Sequence, residues 1–323
     1  MTLSPLISVI VPAFNAELHI RECIESLISQ SYRHWECIVV DDHSVDNTTE
    51  VVSALIDMYP QLHLKLVYNK GKGACKARNL GMDIAKGEFI KFLDSDDAIY
   101  DGSVLEKQVQ MAQYTMKDVV FGDEYYFDNN FDSQSLQRIR ITDMTNVNQE
   151  FFLKRPITSN FLFRNREQKK LRWNERLESG QELFFLFECY FEGYSFYYFK
   201  HASVKIRNHT SIDRISNQPT DIYQQQTLYL SQEIERRLKQ RQSTHIHFLS
   251  SFYVWKLFRG FIARRQGNYG IAQEFLRNMP KISKLAIYSR HIKLLYALNL
   301  LHQDISYYCY RLLNNRLIKT KPN

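Results

Sequence analysis

Short hydrophobic runs alternate with amphipathic stretches over the first 93 residues of the chain. Four runs have the length and the β-branched or aromatic content of buried strands, at residues 6–11, 35–40, 62–67 and 89–93. Between them, apolar residues recur at helical spacing over residues 16–29, from about residue 46, and over residues 74–85. Strands that alternate with helices in this way predict an α/β fold with a doubly wound, mainly parallel sheet.

The hydrophobic pattern changes after the fourth run. Strands are predicted at residues 119–123 and 160–164, and the polar residues 128–150 between them are predicted to form an irregular loop. The last third of the sequence has helical spacing throughout. We therefore predict an α/β domain over residues 1–215, followed by a helical, basic region over residues 216–323.

Charge is unevenly distributed along the chain, which has a formal net charge of +7. Residues 236–323 contain 17 Lys and Arg against 2 Asp and Glu, whereas the preceding residues contain 25 against 33. Basic, aromatic-rich segments such as residues 248–262 are typical of membrane interfaces, so an anionic membrane surface is a predicted partner. A packed helical bundle with a basic outer face is the alternative. No nucleic-acid-binding motif accompanies the charge, so no nucleic acid partner is predicted.

The cysteines and the hydrophobic runs bear on the compartment. Five cysteines are scattered without a C-x-x-C pair, which is typical of a reducing compartment and of a chain without a zinc site. No apolar run approaches the roughly 18 residues that a membrane-spanning helix needs. No signal-peptide pattern is present at the N-terminus either. We predict a cytoplasmic protein that is peripheral at the inner face of the cytoplasmic membrane.

Polar and aromatic residues follow each of the first four predicted strands. They are Pro12 to Asn15, Asp41 to Ser44, Asn69 to Gly73 with Arg78 beyond, and the acidic group Asp94, Asp96 and Asp97. Because ligands of open α/β sheets bind at the carboxyl ends of the strands, these residues predict a binding site at that edge. Crowded carboxylates repel unless a cation joins them, and oxygen ligands favour Mg²⁺ or Mn²⁺. A solvated acidic turn is the alternative.

This combination of groups suits a nucleoside diphosphate. A dinucleotide-binding G-x-G-x-x-G motif is absent after the first strand, and so is a P-loop. Instead, residues 9–15 (VIVPAFN), 39–44 (VVDDHS), 69–79 and 92–97 (FLDSDD) resemble the family 2 glycosyltransferases of GT-A fold, of the bacterial polysaccharide and lipopolysaccharide type. The resemblance extends over about residues 6–215.

The resemblance implies an inverting glycosyltransferase that depends on Mn²⁺ or Mg²⁺. Its donor would be a nucleotide-diphospho-sugar, most commonly a UDP-sugar. Its acceptor would be a hydroxyl of a glycan or lipid-linked saccharide, in surface polysaccharide biosynthesis. Two alternatives stay open. One is transfer to a polyprenyl phosphate, which is already ionised and needs no base. The other is a non-catalytic sugar-nucleotide-binding protein of the same fold.

The resemblance also implies roles for single residues on the donor side. Phe14 falls beside the nucleobase and Asp42 where the family reads the base, although core packing and helix capping are their structural alternatives. His43 stands where the family usually has glycine. The remaining donor-side residues implied are Pro12, Arg78, Asp94, Ser95 and Asp96. The metal ligands implied are Asp96, Asp97 and His209.

Glu182 is the implied catalytic base. The sequence Gly180-Gln-Glu182 resembles the Gly-Glu-Asp or Gly-Gln-Asp motif of the family, whose last residue is the base, and a strongly apolar segment follows it. An acceptor hydroxyl needs such a carboxylate, because it is a poor nucleophile until its proton is removed. The alternatives are that Glu182 stabilises a helix N-terminus, or that Glu178 is the base.

Overall fold

The structure, a computed structural model, describes residues 4–128, 134–137, 157–166, 171–208, 220–240 and 246–277. The chain divides into two units. The first consists of Met1–Val147 and Lys154–Gln218, and the second of Asn148–Leu153 and Pro219–Asn323. The predictions for His209 and for residues 278–323 lie outside the described residues.

The first unit begins with the predicted alternation of strands and helices. Its elements are β1 (Ile7–Ala13), α1 (Ile20–Ile28), β2 (Trp35–Asp41), α2 (Thr48–Met58), β3 (Leu64–Tyr68), α3 (Ala74–Ile84) and β4 (Phe89–Phe92). Every residue of β1, β2 and β4 is buried, which explains why these strands are mainly apolar runs in the sequence. The bounds differ from the predicted ones by a few residues at most.

Strand order brings the candidate residues to one edge of the sheet. β1 pairs in parallel with β2 and β4, and β2 pairs in parallel with β3, which gives the order β3-β2-β1-β4. The four strands therefore end on the same side, and the loops that follow them are neighbours. This half of the sheet confirms the predicted doubly wound, mainly parallel arrangement.

The sheet continues with strands of mixed direction. The elements are β5 (Ala98–Ile99), α4 (Val104–Thr115), β6 (Val119–Asp128), β7 (Gln134–Gln137), β8 (Leu162–Arg164), α5 (Gln181–Phe191) and β9 (Phe196–Asn208). β8 lies antiparallel between β4 and β6, and β9 pairs in parallel with β6 along most of its length.

One sequence prediction is wrong in this half. Residues 128–150 were predicted to be an irregular loop, but residues 134–137 form β7, which pairs antiparallel with β6. The strand predicted at residues 119–123 also continues to Asp128. The reason is that β7 and β9 supply backbone partners along the second half of β6, and local sequence patterns do not report such pairings.

The described part of the second unit is helical, as predicted. It contains α6 (Thr220–Gln240), α7 (Ile246–Arg265) and α8 (Tyr269–Leu276). Phe252 and Trp255 of α7 are buried, and so are the cationic Lys256 and Arg259. Lys256 pairs with Glu235 of α6. These members of the aromatic and basic segment therefore serve internal packing. Within the described ranges, no helix combines the length and the apolar character needed to cross a membrane.

Candidate functional site

The loop after β1 carries an exposed aromatic ring. Phe14 is 44% exposed, whereas Pro12 is buried within β1. Asn15 has a left-handed backbone with φ of 47°. Its N–H donates to the Ser44 hydroxyl at 3.0 Å, and its side-chain oxygen accepts from the N–H of Val45 at 3.0 Å. The loop is thus tied to the one after β2, with the Phe14 ring left accessible to a flat ligand.

Asp42 is the buried carboxylate that follows β2. It accepts hydrogen bonds from the Asn69 side chain at 2.6 Å and from the backbone N–H of Gly73 at 2.7 Å. Gly73 precedes α3, so Asp42 fixes the start of α3. It does not cap α2, because Asp46 bonds the N–H of Thr48 there. The arrangement joins the ends of β2 and β3.

His43 takes up the conformation that glycine favours. Its φ is 64°, which costs an ordinary residue about 1–2 kcal/mol. A hydrogen-bonding contact of 2.7 Å between its Nε2 and the carbonyl oxygen of Gly71 offsets part of that cost. Histidine at this position therefore preserves a left-handed turn after Asp42.

The acidic residues form one turn after β4. The N–H of Asp97 donates to the carbonyl of Asp94 at 3.0 Å. Asp94, Ser95 and Asp96 are partly exposed, whereas Asp97 is only 4% exposed. Burial raises the pKa of Asp97 well above its usual range, and the negative charges of Asp96 and Asp94 raise it further. A divalent cation at this turn would relieve that repulsion.

The carboxylates of the acidic turn fit a cation that is also bound by phosphate and water. Among the residues that the structure describes, no three acidic, histidine or cysteine side chains are arranged to hold a metal. Mg²⁺ is typically bound by one or two carboxylates, with phosphates and water completing its shell. Asp96 is more accessible than Asp97. One carboxylate oxygen of Asp97 also accepts a hydrogen bond from the Ser159 hydroxyl at 2.8 Å. Of the two carboxylates, Asp96 is therefore the more accessible to a cation.

Arg78 connects the acidic turn to α5. Its guanidinium, on the buried face of α3, lies 2.7 Å from Asp94 and donates to the side-chain oxygen of Gln181 at 2.9 Å. It also lies over the ring of Trp173, 4.5 Å from the centroid. Burial alone would lower the pKa of Arg78, but the charges of Asp94 and Glu182 outweigh it and raise the pKa.

Glu182 lies in the first turn of α5. The helix begins after Gly180, whose φ of 69° is left-handed. The negative charge of Glu182 helps to raise the pKa of Arg78. Burial raises the pKa of the Cys75 thiol to about 12, and the charge of Glu182 adds to that increase. Glu182 is partly exposed, while Glu178 is exposed before the helix. Gln181, the residue before Glu182, thus binds the same arginine that binds Asp94.

Asn79 holds the segment before α5 in place, a role that the sequence analysis did not assign. Its side chain accepts from the N–H of Trp173 at 2.9 Å and donates to the carbonyl of that residue at 3.0 Å. Trp173 in turn stacks on Phe185 of α5, with 4.3 Å between ring centroids. The signal in the sequence for this role was that Asn79 directly follows the candidate site residue Arg78. In the structure Asn79 binds Trp173 and Arg78 binds Gln181, so the two neighbours hold the segment that leads into α5.

Comparison with known proteins identifies the family. A family model for "Glycosyl transferase family 2" matches residues 8–190, more than half of the chain. The chain belongs to glycosyltransferase family 2. This glycosyltransferase is 39% identical over 126 residues to "Glycosyltransferase GlyG" of Streptococcus pneumoniae serotype 4, an alignment that covers 39% of this chain and 41% of GlyG.

A second relative and a solved structure extend the comparison. The family 2 glycosyltransferase is 40% identical over 126 residues to the "UDP-Glc:alpha-D-GlcNAc-diphosphoundecaprenol beta-1,3-glucosyltransferase WfgD" of Escherichia coli, covering 39% of this chain and 48% of WfgD. Both alignments thus span less than half of the relative. The crystal structure of S. aureus TarS 1-349 with UDP-GlcNAc has a TM-score of 0.72 at 20% identity, covering 95% of this chain and 91% of that one. This similarity confirms the predicted GT-A fold.

Proposed function

We propose that this glycosyltransferase transfers a sugar from a UDP-sugar to a hydroxyl of a glycan or lipid-linked saccharide, with inversion, in surface polysaccharide biosynthesis. The observation that carries the proposal is the position of Arg78. One guanidinium binds Asp94 in the acidic turn and Gln181, the residue before Glu182, at the start of α5. A carboxylate on the donor side and the helix start that carries the candidate base are thus held by one buried cation, which supports a donor and an acceptor that meet at this edge of the sheet.

The donor is proposed to lie across the ends of β1, β2 and β4. The exposed ring of Phe14 provides a stacking surface for the base, and Asp42 holds the neighbouring loop. The names of WfgD and of the TarS complex, which refer to UDP-Glc and UDP-GlcNAc, support UDP as the nucleotide. The name of WfgD, with a diphosphoundecaprenol acceptor, supports a lipid-linked saccharide as the acceptor.

Asp96 is proposed to hold Mn²⁺ or Mg²⁺ together with the diphosphate. The bound cation supplies charge neutralisation for the departing diphosphate. Asp94, fixed by Arg78, orients the sugar or ribose, with Ser95 beside it in the turn. His209 remains a predicted further ligand, and Asp97 a predicted contact that is mostly enclosed by protein.

Glu182 is proposed to remove the proton of the acceptor hydroxyl. The attacking oxygen becomes a competent nucleophile only as that proton leaves, and a carboxylate within hydrogen-bond reach accepts it. The left-handed Gly180 starts the helix so that Glu182 comes in its first turn, near Arg78. The proposed displacement comes from the face opposite the leaving diphosphate, and a single displacement of this kind reverses the anomeric configuration.

Titration calorimetry with UDP, in the presence and absence of Mn²⁺, tests the donor part of the proposal. We expect wild-type protein to bind UDP more tightly with Mn²⁺, and Asp96→Asn to lose most of that metal-dependent gain. Asp57→Asn is the matched control, because Asp57 is an exposed aspartate on α2 outside the site. Equal metal-dependent binding by wild type and Asp96→Asn would remove Asp96 from the metal site. No UDP binding by wild type would remove the proposed donor.

A further inference from the structure

A cluster of buried polar side chains lies behind the acidic turn. Lys91, Gln108, Ser159 and Asn160 are each 0% exposed. Lys91 Nζ donates to the Ser159 carbonyl at 2.8 Å and to the Gln108 side-chain oxygen at 3.4 Å, and Gln108 donates to the Asn160 carbonyl at 2.8 Å. Burying polar groups is costly unless they are hydrogen-bonded, and a connected network of this kind holds its members in one arrangement.

The Ser159 hydroxyl joins the two ends of the acidic turn. It accepts a hydrogen bond from the backbone N–H of Asp94 at 3.0 Å and donates one to the Asp97 carboxylate at 2.8 Å. The N–H of Asp97 also bonds to the carbonyl of Asp94. One buried oxygen thus determines how the turn that contains Asp96 sits on the end of β4.

Ser159 itself is held by residues of two strands, β4 and β6. Lys91 of β4 fixes its carbonyl. The next residue, Asn160, accepts from the N–H of Gly122 at 2.9 Å and donates to the carbonyl of Gly122 at 2.8 Å. These two bonds attach the backbone next to Ser159 to β6. The hydroxyl therefore acts from a rigid support.

We propose that Ser159 is a positioning residue for metal-dependent donor binding. It holds the acidic turn so that Asp96 meets the cation and the diphosphate together. The inference rests on the proposed function, because the acidic turn that Ser159 holds is part of the proposed donor and metal site. Groups that orient ligating side chains typically contribute about 10–100-fold to metal affinity or activity.

The short helical turn that contains Ser159, Thr158–Asn160, offers a matched control. Thr158 is also buried, at 2% exposure, and its hydroxyl has no hydrogen-bond partner among the described residues. Thr158→Val removes a hydroxyl next to Ser159 while keeping the shape of the side chain. A general sensitivity of residues 158–160 to substitution would affect both variants, whereas a positioning role affects only Ser159.

Calorimetric titration of Mn²⁺ into full-length protein with saturating UDP tests the inference. We expect Ser159→Ala to weaken the apparent Mn²⁺ affinity by about 10–100-fold. Thr158→Val should leave it unchanged, and UDP binding without metal should stay nearly the same in both variants. Lys91→Met keeps the hydroxyl but removes the donor to the Ser159 carbonyl, so we expect a smaller loss in the same direction. This variant decides the question if Ser159→Ala does not fold.

The outcomes separate this inference from the proposed function. Wild-type protein without metal-dependent UDP binding overturns both. Normal wild-type binding with unchanged Mn²⁺ affinity in Ser159→Ala and Lys91→Met overturns the positioning role alone. Equal losses of UDP binding with and without Mn²⁺ in Ser159→Ala would make the hydroxyl a general structural group, which also overturns it.

Discussion

At the residue scale, the site depends on side chains with little freedom. Arg78 is 3% exposed and reaches Asp94 and Gln181 through two different nitrogens while it covers the Trp173 ring. Only a planar guanidinium makes these three contacts at once, so lysine cannot replace it without losing part of the arrangement. The position of the first turn of α5, and of Glu182 in it, therefore depends on an arginine from α3.

Glu182→Gln should separate chemistry from donor binding. Glutamine keeps the shape of the side chain but cannot accept the acceptor proton, so we expect turnover to fall by about 10²–10⁴-fold. UDP affinity should remain near the wild-type value, because a base acts in the transition state. The measurements are sugar transfer to the acceptor and calorimetric UDP binding.

Glu178→Gln is the control for that substitution, because Glu178 is an exposed neighbour before α5. It should have little effect on turnover. Near-normal turnover in Glu182→Gln would shift the role to Glu178 or Asp123, or favour an acceptor that is already ionised, such as a polyprenyl phosphate. Asp123 is the weaker of the two candidates, because it is 2% exposed and accepts a 2.6 Å hydrogen bond from Tyr198.

At the element scale, Gly73 joins backbone conformation to the site. Its φ is 106°, and a Cβ there would meet nothing within 4 Å, so only the backbone conformation disfavours alanine. We expect Gly73→Ala to lower the free energy of unfolding by about 1–3 kcal/mol. It should also weaken UDP binding, because a change of backbone conformation at residue 73 moves the N–H that bonds to Asp42. Urea denaturation and calorimetry measure the two effects.

Gly267→Ala is the matched control for that pair of effects. Gly267 has a φ of 83° and equally open space, but it lies between α7 and α8 in the second unit. It should destabilise the protein to a similar extent and leave UDP binding unchanged. Equal weakening of UDP binding by both substitutions would mean that the loss comes from general destabilisation.

The elements also show which parts of the fold the sequence could predict. β1, β2 and β4 are buried on both faces, so their apolar runs were sufficient to locate them. The rule that ligands bind at strand ends then brought Phe14, Asp42 and the acidic turn to one edge. β7 was missed because three of its four residues are polar, so its strand structure depends on pairing with β6.

The supporting residues of the site were harder to predict. Ser159 reaches Asp94 and Asp97 only because β8 inserts next to β4, a pairing between segments about 70 residues apart. Gln181 similarly requires α5 to lie beside α3. Local patterns do not report such long-range neighbours. Lys91 did give an indication, since a lysine within an apolar strand requires a buried partner.

At the scale of the whole molecule, the charge asymmetry between the two parts of the chain predicts association with an anionic membrane. Residues 236–323 carry 17 basic and 2 acidic residues. Each cation near an anionic leaflet contributes about 1 kcal/mol, and added salt screens the attraction. We expect full-length protein to sediment with anionic liposomes at low salt, and removal of residues 290–323 to weaken this.

Neutral liposomes and high salt are the controls, and unchanged UDP binding by the truncated protein would show that the site is intact. If full-length protein does not sediment with anionic liposomes at low salt, the basic residues form only a solvated outer face. The burial of Trp255 and Phe252 already limits which aromatic rings of α7 are available to lipid.

The insertion of β8 between β4 and β6 also sets an order of events during synthesis. β1 to β4 have each other as partners once residue 92 has emerged, but the outer edge of β4 stays open until β8 follows about 70 residues later. At translation rates of about 5–20 residues per second, that edge is unpaired for roughly 4–14 s. Because an unpaired strand edge is a template for association with other chains, the edge of β4 exposes the nascent protein to misassembly in this interval.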